Sequence, residues 1–277
     1  MERFERDGLV FDVTDGGPPE GEAVVLLHGF PQDRTAWDAV TPLLQAQGLR
    51  TLAPDQRGYS PGARPRGRAA YRMSECARDV VALLDAAGVE RAHVVGHDWG
   101  GGAAWAFATR YPDRTRSLVV LSTPHPAAMA WAFTHSRQAL TSWYMAFFQL
   151  PWLPERLVPR TLAATLSRSG LPPDHVRRYV DRMREPGALA GALGWYRGMP
   201  ATMRAGSGGA THRVKVPTTY VWGRRDFALG RAAAEKTADF VTGPYRFLEF
   251  DAGHWLPENE PGPVAGAILD QVHAAAG

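Results

Sequence analysis

Short apolar segments alternate with amphipathic segments along most of the chain. Seven segments are apolar or β-branched and mostly end at Gly, Pro or Asp, which predicts the strands LVFDV, AVVLLHG, RTLAPD, AHVVGHD, SLVVLST, TTYVWG and RFLEF. Five segments between them have helical spacing: Ala36–Gln47, Ser74–Ala87, Trp99–Arg110, Arg231–Phe240 and Pro263–Ala275. Near-continuous apolar strands that alternate with helices predict an α/β fold, with a mostly parallel central sheet flanked by helices.

The alternation breaks once, from about His125 to Arg213. This stretch has no clear strand pattern and contains helical segments rich in aromatic residues. We predict an all-helical cap over residues 125–213, inserted before the last two strands. The core domain then consists of residues 1–124 and 214–277, and the sequence RAGSGGATHRV marks the return to it.

Composition narrows the class of protein. The chain of 277 residues is 45% hydrophobic, which is enough to bury a full core. Its formal charge of +3 is near neutral and its densest basic run, RPRGR, has no interleaved aromatics, so we expect no nucleic-acid partner. The start of the chain lacks the apolar core of a signal peptide, and no apolar run reaches membrane-spanning length. With the single cysteine, Cys76, these features predict a cytoplasmic protein that has no membrane partner.

Polar residues follow several of the predicted strands. His28, Asp55, Asp98 and Asp226 stand at strand ends, and His254 lies in the loop after the last strand. Ligands of such sheets bind beyond the carboxyl ends of the strands, so these residues predict a site at one edge. The nine histidines form no cluster with carboxylates at metal-ligand spacing, so we expect no metal and no cofactor. Whether the chain is a monomer or a homodimer stays open.

The sequence GHDWGG, residues 96–101, lies between a predicted strand and a predicted helix. This arrangement fits a nucleophile elbow, in which the nucleophile occupies a strained turn and its close neighbours must lack side chains. The nucleophile position holds Asp98, where a serine is common. The N-terminus of the following helix favours a negative charge there and offers backbone N–H groups.

Two further residues complete the order nucleophile, acid, histidine. Asp226 follows an apolar strand in VWGRRDFAL, and His254 lies in DAGHWLPENEP. Taken alone, Asp226 could be a helix cap and His254 could be structural. Together with Asp98 they predict a catalytic triad. No acid occurs in residues 118–149, after the SLVVLST strand, so Asp226 is the expected partner of His254.

The motif LLHGFP, residues 26–31, is the remaining piece of the site. Its His-Gly turn places the N–H of Phe30 toward the elbow, where with the N–H of Trp99 it would form an oxyanion hole.

With these motifs the chain resembles the α/β-hydrolase superfamily along nearly its whole length. Within it, HGFP, APDQRGY, GHDWGG, the DF after the penultimate strand and GHW resemble the epoxide hydrolases. The resemblance implies the α/β-hydrolase fold and conversion of an epoxide to a vicinal diol.

An aspartate in the elbow also has a chemical meaning of its own. A serine that attacks an sp3 carbon would leave an ether, which activated water cannot hydrolyse, whereas a carboxylate leaves an ester. A carboxylate of ordinary pKa is already ionised at pH 7 and needs no base, so His254 is free to activate water in a second step. The expected electrophile is therefore an epoxide or a carbon–halogen bond.

Residues of the predicted cap favour the epoxide. Tyr144 in SWYMAFFQLP and Tyr196 in LGWYRGMP resemble the two segments that supply epoxide-activating tyrosines in the family. Haloalkane dehalogenases usually carry Asn in the turn after His-Gly, where this chain has Phe30. Trp143 and Trp195 are candidate halide donors, so a haloalkane dehalogenase is the alternative. A non-catalytic ligand-binding protein on a hydrolase fold is a further, weaker alternative.

The resemblance implies a two-step reaction. Tyr144 and Tyr196 activate the epoxide, Asp98 opens it to a hydroxyalkyl ester, and His254, oriented by Asp226, activates the water that hydrolyses the ester. We expect a small apolar epoxide and water as ligands, and the aromatic-rich cap favours an aryl or bulky substituent. The residues expected to line the pocket are His28, Pro31, Trp143, Phe148, Trp195 and Trp255.

Overall fold

A computed structural model describes residues 1–204 and 213–276. Its sheet contains eight strands within these residues: β1 (Arg3–Arg6), β2 (Leu9–Gly16), β3 (Ala23–Leu27), β4 (Arg50–Pro54), β5 (Ala92–His97), β6 (Thr115–Leu121), β7 (Thr218–Gly223) and β8 (Tyr245–Phe250). Their spatial order is β1-β2-β4-β3-β5-β6-β7-β8. β2 pairs antiparallel with β1 and β4, whereas the other neighbours pair in parallel. The predicted α/β fold with a mostly parallel sheet is confirmed.

All seven predicted strands are present, and sequence reasoning missed β1. Its sequence, RFER, is mostly charged, and only Phe4 is buried. The Phe4 ring stacks on Phe11 of β2 with the ring centroids 4.6 Å apart. A short edge strand buries so few side chains that its pattern does not stand out from a charged N-terminus.

The helices cover both faces of the sheet and form the region between β6 and β7. Within the described residues they are α1 (Thr41–Gln45), α2 (Met73–Ala86), α3 (Trp99–Arg110), α4 (Pro126–His135), α5 (Gln138–Thr141), α6 (Trp143–Phe147), α7 (Leu153–Arg168), α8 (Pro173–Arg184), α9 (Ala188–Arg204), α10 (Arg231–Lys236), α11 (Leu256–Asn259) and α12 (Pro261–Ala276). Among these, none has both the length and the apolar character that a bilayer span requires.

Two predicted helices are wrong as single elements. The segment Ala36–Gln47 divides into a 3₁₀ turn at Arg34–Trp37, capped by the Asp33 side chain, and α1. Pro42 lies in the first turn of α1, and a proline without an N–H cannot continue a helix from the preceding turn. The segment Arg231–Phe240 likewise divides into α10 and a 3₁₀ turn at its C-terminal end.

Helices α4 to α9 make up the predicted cap region, and residues 125–204 contain no strand, as the sequence predicted. The return segment RAGSGGATHRV falls largely on residues 205–212, outside the described residues, and the division into two domains stays a prediction. Ion pairs connect α8 and the residue after it to loops near the end of β4. Arg182 lies 2.9 Å from Asp55, and Arg64 lies 3.1 Å from Glu185.

The centre of the sheet brings the predicted site together. Strands β3 and β5 are buried along their whole length, because helices cover both of their faces. They are parallel neighbours, so the turn after β3, with Phe30, lies beside the turn after β5, with Asp98. The loops after β7 and β8 carry Asp226 and His254 at the same edge.

Candidate active site

Asp98 lies in a strained turn between β5 and α3. Its backbone has φ +49° and ψ −121°, a region that costs about 1–3 kcal/mol for a residue with a side chain. The glycines around it allow a close approach of backbones. A Cβ at Gly96 would lie 2.3 Å from the carbonyl oxygen of Gly100, and one at Gly100 would lie 2.1 Å from that of Leu27. The turn can form only because these positions lack side chains.

The carboxylate of Asp98 contacts two partners. Its Oδ1 accepts a hydrogen bond of 2.8 Å from the N–H of Phe30, and its Oδ2 lies 3.7 Å from Nε2 of His254. The hydroxyl of Thr123 donates to the Asp98 carbonyl oxygen at 2.6 Å and so anchors the backbone of the turn. Trp99 is the first residue of α3, where backbone N–H groups have no acceptor within the helix.

His254 is oriented from its other side by Asp226. The Nδ1–H of His254 donates to Oδ2 of Asp226 at 2.8 Å. The second oxygen of Asp226 accepts the N–H groups of Ala228 and Leu229 at 2.8 and 3.0 Å. The Asp226 side chain is fully buried, so these contacts determine its orientation. The structure therefore brings the three predicted triad residues together, with Nε2 of His254 directed at Asp98.

The pKa values of His254 and Asp98 are shifted in opposite directions. Burial alone would lower the pKa of His254, but the charges and hydrogen bonds of Asp226 and Asp98 outweigh it and raise the pKa to about 10. Burial alone would raise the pKa of Asp98, but the hydrogen bond and charge of His254 lower it below its ordinary value. In the resting protein at neutral pH, an imidazolium therefore lies between two carboxylates.

Two tyrosines approach the nucleophile from the cap region. The rings of Tyr144 in α6 and Tyr196 in α9 lie 6.1 Å apart, and Tyr196 also packs edge-on against Trp99 at 4.8 Å. Burial, followed by the negative charges of nearby groups that include Asp98, raises the pKa of both tyrosines above the ordinary value. Both hydroxyls are therefore protonated at neutral pH and can donate hydrogen bonds.

A cavity of about 470 Å³ lies between the sheet edge and the cap helices. Asp98, Trp99, Tyr144 and Tyr196 line it, and Asp98 is the only ionisable carboxyl among its described lining residues. Most of the remaining wall is apolar, and four of the seven methionines of the chain belong to it: Met73, Met129, Met145 and Met199. Methionine is flexible and polarisable, so this wall can adapt to substituents of different shape.

The six residues predicted to line the pocket are not among the described lining residues of this cavity. The His28 ring is buried beneath the site, where its Nε2 accepts the N–H of Gln56 at 3.1 Å. Pro31 is buried after a cis peptide bond from Phe30. Phe148 supports the site indirectly, since its ring packs on that of Tyr196 at 4.8 Å.

The three tryptophans of that prediction also face away from the cavity. Trp143 is 66% exposed at the surface. Trp195 is fully buried, and its indole N–H donates to the Arg57 carbonyl oxygen at 2.6 Å. The indole N–H of Trp255 donates to the hydroxyl of Ser169 at 2.9 Å. Trp195 and Trp255 thus use their indole N–H groups in other hydrogen bonds, whereas Trp143 lies at the surface. The spacing of residues in the sequence does not reveal which side of a helix meets the cavity.

Sequence reasoning also missed lining residues that the fold brings to the site. Thr123 follows β6 in SLVVLST, and a polar residue at that strand end was an available signal. The four methionines gave no such signal. They are distant from one another in sequence, and each lies in a separate helix whose apolar spacing is that of ordinary helix packing.

Comparisons with known proteins agree with this geometry. The α/β-hydrolase fold family matches residues 22–261. The chain is 34% identical to the AB hydrolase superfamily protein YfhM of Bacillus subtilis, over 95% of this chain and 94% of that protein. It is 30% identical to epoxide hydrolase A of Mycobacterium tuberculosis, over 96% of this chain and 95% of that protein.

Solved structures show the same similarity. The crystal structure of epoxide hydrolase A from Mycobacterium thermoresistibile superposes with a TM-score of 0.86 at 26% identity, covering 98% of this chain and 97% of that one. A structure of epoxide hydrolases from metagenomes of hot environments superposes with a TM-score of 0.84 at 28% identity, with the same coverage. These similarities extend over the sheet and the cap helices alike.

Proposed function

The chain belongs to the epoxide hydrolases of the α/β-hydrolase family, and we propose that it opens its substrate through a covalent ester on Asp98. The observation that carries this mechanism is the position of the Asp98 carboxylate. One of its oxygens binds a backbone N–H, and the other faces both the cavity and His254. A serine-type hydrolase would need a base for the first step, whereas this carboxylate is already ionised.

In the first step Oδ2 of Asp98 attacks a ring carbon of the epoxide. The C–O bond of the ring breaks, and the ring oxygen takes a proton from Tyr144 or Tyr196. The product is a hydroxyalkyl ester whose carbonyl oxygen is Oδ1, still bound to the Phe30 N–H. The protonated tyrosines support this role, because a group that donates a proton must retain it at neutral pH.

In the second step a water molecule attacks the ester carbonyl carbon. The resting imidazolium of His254 must first lose its Nε2 proton, and the ester favours this loss because Asp98 no longer carries the charge that raises the histidine pKa. That proton goes to the tyrosinate left by ring opening, and the neutral His254 then accepts a proton from the attacking water. The N–H groups of Phe30 and Trp99 stabilise the oxyanion on Oδ1. Collapse breaks the bond between the carboxyl carbon and Oδ2, and the remaining water proton passes to the departing alkoxide, which restores the Asp98 carboxylate and releases a vicinal diol. His254 is then an imidazolium again, as in the resting protein.

Isotope labelling tests the covalent step in the unmodified protein. Trypsin cleaves after Arg91 and Arg110 and releases residues 92–110, which contain Asp98 as their only carboxylic side chain. Repeated turnover of styrene oxide in ¹⁸O-water should place ¹⁸O in this peptide, because the attacking water leaves one oxygen on Asp98. Diol formation without label in the peptide would rule out the ester intermediate. Protein incubated without substrate is the control.

The His254→Gln variant gives an independent test. It retains the nucleophile but lacks the base, so the ester should accumulate as a mass increase on the peptide 92–110.

The haloalkane dehalogenase alternative predicts halide release from brominated alkanes and no diol from styrene oxide. Two observations oppose it: Trp143 is exposed at the surface, and the indole N–H of Trp195 is already bound to a carbonyl oxygen.

A further inference from the structure

A chain of buried polar side chains runs behind the active site from the cap to the oxyanion loop. The hydroxyl of Tyr179 in α8 donates to Oε1 of Glu258 in α11 at 2.8 Å. The side-chain N–H of Gln32 donates to the same oxygen at 2.6 Å. The amide oxygen of Gln32 then accepts the backbone N–H of Gly29 at 2.7 Å. Glu258 is thus the common acceptor that joins a cap helix to the loop after β3.

The orientation of the Gln32 amide depends on Glu258. The Gly29 N–H requires an acceptor, so the oxygen of Gln32 must face it and the NH₂ group must face the opposite way. Glu258 supplies the acceptor on that opposite side. Without it, a buried NH₂ group would lose its partner, and the amide would no longer have one preferred orientation.

The loop oriented by Gln32 is the one that contacts the nucleophile. Gly29 is so close to Asp98 that a Cβ on it would lie 2.3 Å from the Asp98 Cβ. The next residue, Phe30, donates the N–H that binds Oδ1 of Asp98. A shift of a few tenths of an ångström at Gly29 would therefore displace the oxyanion donor relative to the ester.

Gln32 is also linked, through His97, to the loop of the catalytic base. Nδ1 of His97 lies 2.9 Å from the Gln32 amide oxygen, and Nε2 of His97 lies 2.8 Å from the carbonyl oxygen of His254. Burial, followed by the charge of His254, lowers the pKa of His97 to about 4, so its ring is neutral and has a single N–H. The Gln32 amide is therefore linked to both groups that act on the ester, to the Phe30 N–H through Gly29 and to His254 through His97.

Glu258 places an ionisable group in a buried position behind the site. Its side chain is buried, and its Oε2 accepts no hydrogen bond from another side chain among the described residues. A buried polar atom without a partner costs about 1–3 kcal/mol. Burial raises the pKa of Glu258 to about 7, although hydrogen bonds from Gln32 and Tyr179 oppose that rise. A glutamine or an apolar residue would fill the same space without an ionisable group.

We propose that Glu258 is a positioning residue: through Gln32 it orients the oxyanion loop for hydrolysis of the ester on Asp98. This inference rests on the proposed function, because it assigns Glu258 to the second chemical step. The Phe30 N–H binds Oδ1 of Asp98, whose negative charge falls during ring opening and rises when water attacks the ester, so this donor stabilises the transition state of the second step. Glu258 should therefore affect the two steps unequally.

The test compares Glu258→Leu with the matched variant Glu258→Gln. Quenched-flow mass spectrometry of the peptide 92–110 measures ester formation and ester loss separately with styrene oxide. Loss of a direct oxyanion donor slows catalysis by about 10²–10³. For this indirect role we expect Leu to slow ester loss about 10-fold or more and ester formation less than about 3-fold. Gln retains an acceptor for Gln32, so both of its rates should stay within about 3-fold of wild type.

Other outcomes separate this inference from the proposed function. Equal slowing of both steps by Leu, or slowing by Gln as large as by Leu, would show that Glu258 does not position the loop for hydrolysis. Absence of any ester in wild type would instead overturn the covalent mechanism itself. Where Glu258→Leu does not fold, Gln32→Leu removes the same link and should give the same selective slowing. Tyr179→Phe leaves the link between Gln32 and Glu258 intact, and both of its rates should stay near wild type.

Discussion

Replacing Asp98 by Asn should lower the pKa of His254, and the structure sets the size of the effect. The substitution keeps the shape of the side chain and removes its negative charge. Nε2 of His254 lies 3.7 Å from Oδ2 of Asp98. At an effective dielectric constant of about 20, two unit charges at that distance attract each other by about 4 kcal/mol. Each 1.4 kcal/mol is a factor of ten in an equilibrium constant, so proton affinity should fall about a thousandfold.

NMR titration of ¹³C-labelled histidine measures this change directly. The His254 resonance is identified by its absence from the His254→Gln spectrum. In wild type it should titrate near pH 10, and in Asp98→Asn the midpoint should be far lower, although Asp226 still raises it. The exposed Asp113 provides the matched control, because Asp113→Asn removes a carboxylate at the opposite end of the sheet. A His254 midpoint that is the same in Asp98→Asn and wild type would refute the electrostatic account of the site.

The same shift has a consequence for stability. The folded pKa of His254, about 10, lies above its ordinary value of 6.5. The stabilisation from its charge is therefore fully present below about pH 6.5 and is lost as pH rises through about 10. In Asp98→Asn the stabilisation should be smaller and its loss should be complete at lower pH, and melting temperatures measured between pH 6 and 10 would show it. The result also bears on mechanism, since the ester intermediate removes the same charge that the substitution removes.

Two further predictions concern the tyrosines and the elbow. Tyr144→Phe or Tyr196→Phe alone should slow diol formation but leave measurable activity. The double variant should be slower than wild type by roughly 10²–10⁴, which is the contribution of a general acid. A double variant with the wild-type rate would exclude the tyrosines as proton donors. Gly100→Ala should lower the melting temperature strongly or prevent folding, because its Cβ would lie 2.1 Å from the Leu27 carbonyl oxygen. Gly102→Ala should leave the melting temperature equal or higher, since its Cβ meets nothing closer than 3.6 Å. Equal melting temperatures for the two glycine variants would contradict the steric account of the elbow.

The elements predicted from sequence were those with a strong local pattern. The strands β3 and β5 are buried throughout, and α3 begins and ends where the sequence predicted, at Trp99 and Arg110. The errors occurred where local patterns are weak or interrupted. β1 buries a single apolar side chain, and Pro42 divides a segment whose spacing suggested one helix.

In the site too, the residues identified from sequence are those with a clear local pattern, and the rest depend on packing. Asp98, Asp226 and His254 stand in loops directly after strands, so the parallel sheet alone brings them to one edge, and the sequence was sufficient to identify them as candidates. The wall of the cavity is formed by other residues than the six named from sequence, because the orientation of a side chain on a short cap helix depends on packing. Trp143 and Tyr144 are adjacent in sequence, yet Trp143 is 66% exposed whereas Tyr144 lines the cavity.

The sequence by itself was sufficient to predict the chemistry that we propose for this protein. A carboxylate between glycines, followed by an acid and a histidine after later strands, indicates attack on an sp3 carbon and an ester that water must hydrolyse. Only the tertiary structure decided how the charges interact and which residues support them. The 3.7 Å contact of His254 with Asp98 and the buried chain through Gln32 and Glu258 join segments far apart along the chain. Local sequence patterns carry no information about such distances, which arise from the packing of the cap helices and loops around the sheet edge.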